Sequence, residues 1–165
     1  MKFWAPQGYD SDNLKNLGSD LNNFYFLVDY VPFELAKGNK ELENFLAAMK
    51  KVGQAPTEQA LAGWQNAMLL EAGIKAAGKN FTRESVTAAI NNMTDWTANG
   101  IRSKLNWKTA HGPSVPGDQD CVGFVAAVDG KFVPQFKTTP DQPFVCFPVN
   151  PYPATLSGAA LGDGA

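Results

Sequence analysis

Cys121-Val122-Gly123-Phe124-Val125-Ala126-Ala127-Val128-Asp129-Gly130-Lys131-Phe132-Val133-Pro134-Gln135-Phe136 carries the clearest local signal in this chain. Two apolar runs flank Asp129-Gly130, the dipeptide best able to supply two positive φ values in a type I′ turn, so residues 121–128 and 131–136 are expected to form a β-hairpin. Pro134 lacks a ladder donor and places the second strand at an edge. Downstream, Phe144-Val145-Cys146-Phe147 is a short apolar segment suited to lie beside the first hairpin strand, within reach of Cys121. Residues 148–165 are rich in Pro, Gly and Ala, bury little, and read as a mobile tail.

Immediately upstream the chain is loop-rich from Asp95, with Leu105-Asn106-Trp107 expected as a short strand and residues 111–117 as an irregular excursion. Before that the apolar period is 3.6. Leu42, Phe45, Leu46 and Met49 share a helix face, with Asn39 placed to cap it and Gly53 to end it. Pro56 suits the first turn of a longer helix over residues 57–77, closed by Gly78, with Leu61, Trp64 and Met68 on one face. Gly63 and Gly73 inside that helix each cost roughly 1 kcal/mol against alanine, which close packing of another backbone would explain. Thr82 caps a third helix in which Val86, Ala89, Ile90 and Met93 keep the spacing. Nearer the start, residues 2–5 read as a strand ended by Pro6-Gln7-Gly8, residues 10–18 as a short helix with Gly18 as its cap, and Tyr25-Phe26-Leu27-Val28 as a strand covered on both faces. The fold class is α/β.

Composition narrows the function. The chain of 165 residues is 44% hydrophobic and 18% charged, with fourteen basic against sixteen acidic residues and a net charge of −2. No basic stripe favours nucleic acid or an anionic membrane surface. No apolar stretch approaches the ~18 to 20 residues of a membrane helix. The opening Met1-Lys2-Phe3-Trp4-Ala5-Pro6 has no apolar core of a signal peptide. No nucleophile elbow, zinc-protease, phosphate-loop or dinucleotide motif is present, and a lone His111 beside Gly and Pro reads as a solvated loop residue, so neither catalytic residues, a metal nor a cofactor is expected. Phe33, Phe45 and Trp64 read as core rather than as a ligand platform. Cys121 and Cys146 are compatible with two buried thiols or with one disulfide.

Pro56-Thr57-Glu58-Gln59-Ala60-Leu61-Ala62-Gly63-Trp64, continuing to Leu70-Glu71-Ala72-Gly73-Ile74-Lys75-Ala76-Ala77-Gly78, resembles the leucine/isoleucine/valine-type extracytoplasmic solute-binding proteins of ABC transporters. The helix over residues 82–93, the late hairpin, Ala5-Pro6-Gln7-Gly8 and Val31-Pro32-Phe33-Glu34 fall in the order of that family. The resemblance runs from about Ala5 to Phe147. It implies the C-terminal portion of a two-lobed type I periplasmic-binding-protein fold, with residues 1–147 in the ligand-binding domain and most of the first lobe outside this chain. It also implies a non-enzymatic carrier of a small molecule, working with ABC permease subunits at the periplasmic or extracellular face, and anchored or secreted through a region preceding this one. A ligand-sensing receptor of the same fold is the alternative. Within the family, the turn after an early second-lobe strand commonly presents an acid to a ligand ammonium; the matching position is Gln7, whose amide hydrogen-bonds but cannot neutralise a charge. Glu58 and Gln59, at the start of the long helix, fall in a region that lines the cleft, where free backbone N–H groups suit a carboxylate. The oxidising compartment implied by the family favours a Cys121–Cys146 disulfide.

Overall fold

The computed structural model describes residues 1–5, 7–111, 119–136 and 142–148. Five strands, β1 (Phe3–Ala5), β2 (Phe24–Val28), β3 (Gln119–Val128), β4 (Lys131–Gln135) and β5 (Val145–Pro148), form one sheet. Among the described residues four α-helices accompany it: α1 (Ser11–Leu17), α2 (Lys40–Lys51), α3 (Glu58–Ala77) and α4 (Arg83–Asn91). The hairpin forms as its turn chemistry demands. Asp129 and Gly130 adopt φ of 47° and 73°, and Lys131 returns opposite Val128. β2 lies antiparallel on β3 with Phe26 opposite Val125, and β1 joins β2 in parallel through the α1 crossover. β5 pairs with the first part of β3, bringing Cys146 opposite Cys121, and the two sulfurs are bonded at 2.06 Å. β4, carrying Pro134, closes one end of the strand order.

Local chemistry explains the helix boundaries. The Asn39 side chain accepts from the Leu42 N–H at the start of α2, Thr57 from Ala60 at the start of α3, and Thr82 and Ser85 exchange hydrogen bonds in a capping box at α4. Gly78 ends α3 at φ 85°, its N–H returning to the Ile74 carbonyl. Leu42, Phe45 and Leu61, almost inaccessible to water, press α2 and α3 onto Phe26, Val28, Val125 and Ala127 of the inner sheet face. Each such side chain contributes roughly 1.5–3 kcal/mol by leaving water. Ile101 and Val31 complete this core, their segments joined by a Val31 N–H to Ile101 carbonyl bond of 2.6 Å.

Several expectations are adjusted. Phe26 and Val28 are buried but the intervening Leu27 is 36% exposed, so β2 is covered by helices on one face only. Strand register places Trp4, Tyr25, Leu27, Phe124 and Val133 together on the outer face, where Trp4 and Val133 also remain exposed. Gly73 is closely packed, though by side chains rather than by another backbone, because a Cβ there would sit 2.7 Å from Ile90 Cγ1 of α4; at Gly63 nothing lies within 4 Å. Leu105-Asn106-Trp107 is not a strand: Leu105 forms a single bridge to Trp96 and the chain then turns. α4 ends at Asn91, short of Met93. Pro148 belongs to β5, while the rest of the expected tail, residues 149–165, and the excursion over residues 112–117 lie outside the described residues.

Candidate functional site

The loop after β1 is fixed to the start of α3 by one side chain. Glu58 Oε1 accepts from the backbone N–H of Gly8 at 3.2 Å and of Tyr9 at 3.0 Å. Gly8 is required there, with φ 118° and a Cβ position only 3.0 Å from the Phe26 ring. Tyr9, 1% exposed, anchors the loop from below. Its hydroxyl accepts from the Phe33 N–H at 2.8 Å and donates to the Glu34 carboxylate, while its ring meets Phe132 edge-on at 4.7 Å. These contacts hold the segment that carries Gln7.

Opposite, the chain leaving β2 meets the segment after α4. Tyr30 and Arg102 are partners in an antiparallel bridge, which directs both side chains to the same side. Arg102 Nη2 reaches Asp29 Oδ2 at 3.2 Å, and its guanidinium lies 5.7 Å from the centre of the Trp96 ring. Trp96 in turn is 6.3 Å from Trp107, and the Trp107 backbone N–H is tied to the Met93 carbonyl at 2.8 Å.

Between these two walls is a partly open cavity of about 380 Å³. That volume is in the range of small-molecule sites. Gln7, Glu58 and Gln59, the three residues singled out in the sequence, all line it. Gln7 and Gln59 are exposed, and Gln65, one turn and a half further along α3, is buried. Tyr30, Asp29, Trp96, Arg102 and Trp107 line it too, and sequence reading did not identify them. They occupy irregular backbone with no period to mark a face, and Trp107 was read as part of a strand.

The electrostatics are uneven. Burial raises the Glu58 carboxyl above its ordinary range, opposed by the two backbone donors. Burial, then the neighbouring Glu58 charge, push the Tyr30 phenol upward. The two side chains are near enough to influence each other, yet the Tyr30 hydroxyl makes no hydrogen bond of normal geometry. Arg102 Nε and Trp107 Nε1 are likewise buried without an acceptor. An unsatisfied buried donor costs about 1–3 kcal/mol. The His111 ring lies 5.6 Å from that of Trp107. Among the described residues no group of three or more His, Cys, Asp or Glu gathers to hold a metal, and no helix is long and apolar enough to cross a membrane.

The family described as periplasmic binding protein matches residues 1–131. Among solved structures, the chain is similar to a fatty acid ABC transporter substrate-binding protein from Thermomonospora curvata, at 14% identity and TM-score 0.67, over 88% of this chain and 36% of that one. It is also similar to a "putative branched-chain amino acid ABC transporter" from Rhodospirillum rubrum, at 18% identity and TM-score 0.50, over 75% of this chain and 34% of that one. The chain thus spans about a third of the length of these structures, and likeness at such identities concerns the fold alone. No curated protein matches the sequence. With its mixed sheet, its capped helices and a family match over residues 1–131, the chain belongs to the periplasmic binding protein family, type I fold.

Proposed function

We propose that this chain is part of the extracytoplasmic substrate-binding component of an ABC importer, a non-enzymatic carrier, and that it forms one wall of the cleft that captures a small molecule. The observation that carries the proposal is the convergence of Gln7 with Glu58 and Gln59, about fifty residues apart in sequence, on one cavity of about 380 Å³. In this reading Gln7 and Gln59 offer amide donors and acceptors to the ligand. Glu58 acts by position: its carboxylate is engaged by the Gly8 and Tyr9 amides and keeps the Gln7 loop against α3. The second wall belongs to the other lobe, which closes over the ligand by hinge motion and presents the closed form to the permease subunits.

Amino acids, amides and small carboxylates are the ligand classes to test. Calorimetry or thermal shift on the protein in the full length its gene encodes is expected to find a binder among them, with Gln7→Ala and Gln59→Ala weakening it. Absence of any binder across the set would sink the carrier reading. The Cys121–Cys146 bond accords with an oxidising, extracytoplasmic location.

A further inference from the structure

Gln65 is only 6% exposed, and it lines the cavity. A glutamine amide taken out of water needs partners for two N–H donors and one carbonyl acceptor. This one makes no hydrogen bond among the described residues, yet unlike Tyr30 Oη, Arg102 Nε and Trp107 Nε1 its amide atoms are not sealed beneath protein. What remains open to it is the cavity. Position along α3 sets its depth. Glu58, Ala62, Gln65 and Leu69 recur at the three- and four-residue spacing of one helix face, and all four line the cavity. Gln65 therefore stands two turns, about 10 Å, beyond Glu58 along the helix axis, and the apolar Leu69 follows one turn further on.

We infer that Gln65 is a specificity-determining ligand contact, and that the ligand presents a neutral carboxamide to it. The inference rests on the small-molecule carrier reading above and deepens it to one residue and one ligand class. The charges on the wall disfavour an anion. Arg102, the cation among the lining residues, is already paired with Asp29 at 3.2 Å, and Glu58 adds a further carboxylate, so a carboxylate ligand finds no free counter-ion. An ammonium group carries donors only and leaves the Gln65 N–H groups without an acceptor. A carboxamide answers both halves of the side chain. Its carbonyl accepts from Gln65 Nε2 while its own N–H donates to Gln65 Oε1, a planar pair that buries no net charge.

Titration calorimetry of the full-length protein with valeramide, valerate and pentylamine separates these chemistries on one aliphatic chain. Valeramide is expected to bind at least about tenfold tighter than either, and about tenfold tighter than 2-hexanone, in which a methyl group replaces the amide nitrogen, the difference that one hydrogen bond supplies. Gln65→Met, close in size and without hydrogen-bonding groups, should lower valeramide affinity about tenfold and remove its advantage over 2-hexanone. The melting temperature of the unliganded Gln65→Met protein should be unchanged or raised, because the deleted amide had no partner. Gln65→Glu, which supplies acceptors and a negative charge, should turn the preference from valeramide to pentylamine. A lowered melting temperature in Gln65→Met marks a structural role for the amide and overturns the assignment. So does an amide preference that survives in that variant, or valerate or pentylamine binding the parent as tightly as valeramide. If amino acids or carboxylates bind and valeramide does not, the Gln65 assignment falls and the carrier reading stands; if nothing binds, both fall.

Discussion

Alanine at Gly63 and at Gly73, the same substitution ten residues apart on α3, is expected to shift stability in opposite directions. Both positions are interior to the helix, so both replacements gain roughly 1 kcal/mol of helix propensity. At Gly63 nothing lies within 4 Å of the new methyl group, and the gain stands uncorrected. At Gly73 the methyl would meet Ile90 Cγ1 at 2.7 Å, Ile90 Cδ1 at 2.9 Å and Val86 Cγ1 at 3.1 Å. Those neighbours are β-branched and stiff at χ1, so relief requires α4 to move away from α3. Overpacking of this kind costs about 1–3 kcal/mol, which leaves a net loss of about 0–2 after the propensity gain. The two variants should therefore differ by about 1–3 kcal/mol in urea unfolding. For a chain of 165 residues that corresponds to melting temperatures separated by several degrees, at about 2–4 °C per kcal/mol. Equal stabilisation by both substitutions would refute the close α3–α4 contact.

Three further outcomes follow from the loop and the disulfide. Tyr9→Phe strips the partner from the Phe33 N–H and from Glu34, and should cost about 1 kcal/mol or more in urea titration; an unchanged midpoint would show that water replaces the hydroxyl. Because the folded state raises the Glu58 carboxyl above its unfolded value, the native protein binds that proton more tightly. Ionisation as pH rises through the raised value therefore costs stability, and the cost is absent at pH below the ordinary carboxyl range. The melting temperature of the parent relative to Glu58→Gln should accordingly improve as pH falls through the raised value into the ordinary carboxyl range, and a flat difference across that whole interval would exclude the shift. Reducing Cys121–Cys146, which are 25 residues apart, should destabilise by about 3 kcal/mol, and thiol labelling of the denatured, unreduced protein should find no free sulfhydryl.

The parts of this fold that were legible in the sequence are those set by neighbours in the chain. Asp129-Gly130 specifies its turn through backbone sterics alone, and Asn39, Thr57 and Thr82 each satisfy a donor three residues away. Gly73 and Gly63 show the limit, being identical in sequence terms and different only because α4 returns over one of them. The apolar run at Tyr25–Val28 announces a strand but not how many of its faces a helix covers. Of the site, Gln7, Glu58 and Gln59 were reached through family resemblance rather than through any chemical pattern. The Glu58 bond to Gly8 and Tyr9 spans 50 and 49 residues, and the Tyr30–Arg102 bridge joins two irregular segments, so neither leaves a period to read.

The outer face of the sheet bears on how the protein can be handled. Trp4, Leu27 and Val133 are joined there by Phe136, 68% exposed, and Phe147, 48% exposed, whose rings lie edge-on to Phe124. A contiguous aromatic surface of this kind makes the chain in isolation prone to self-association. Concentration-dependent light scattering and binding of a hydrophobic dye are expected when it is purified by itself. Replacing Phe136 and Phe147 with polar residues should suppress both while leaving the core beneath β3 intact, giving a better-behaved form for ligand titrations.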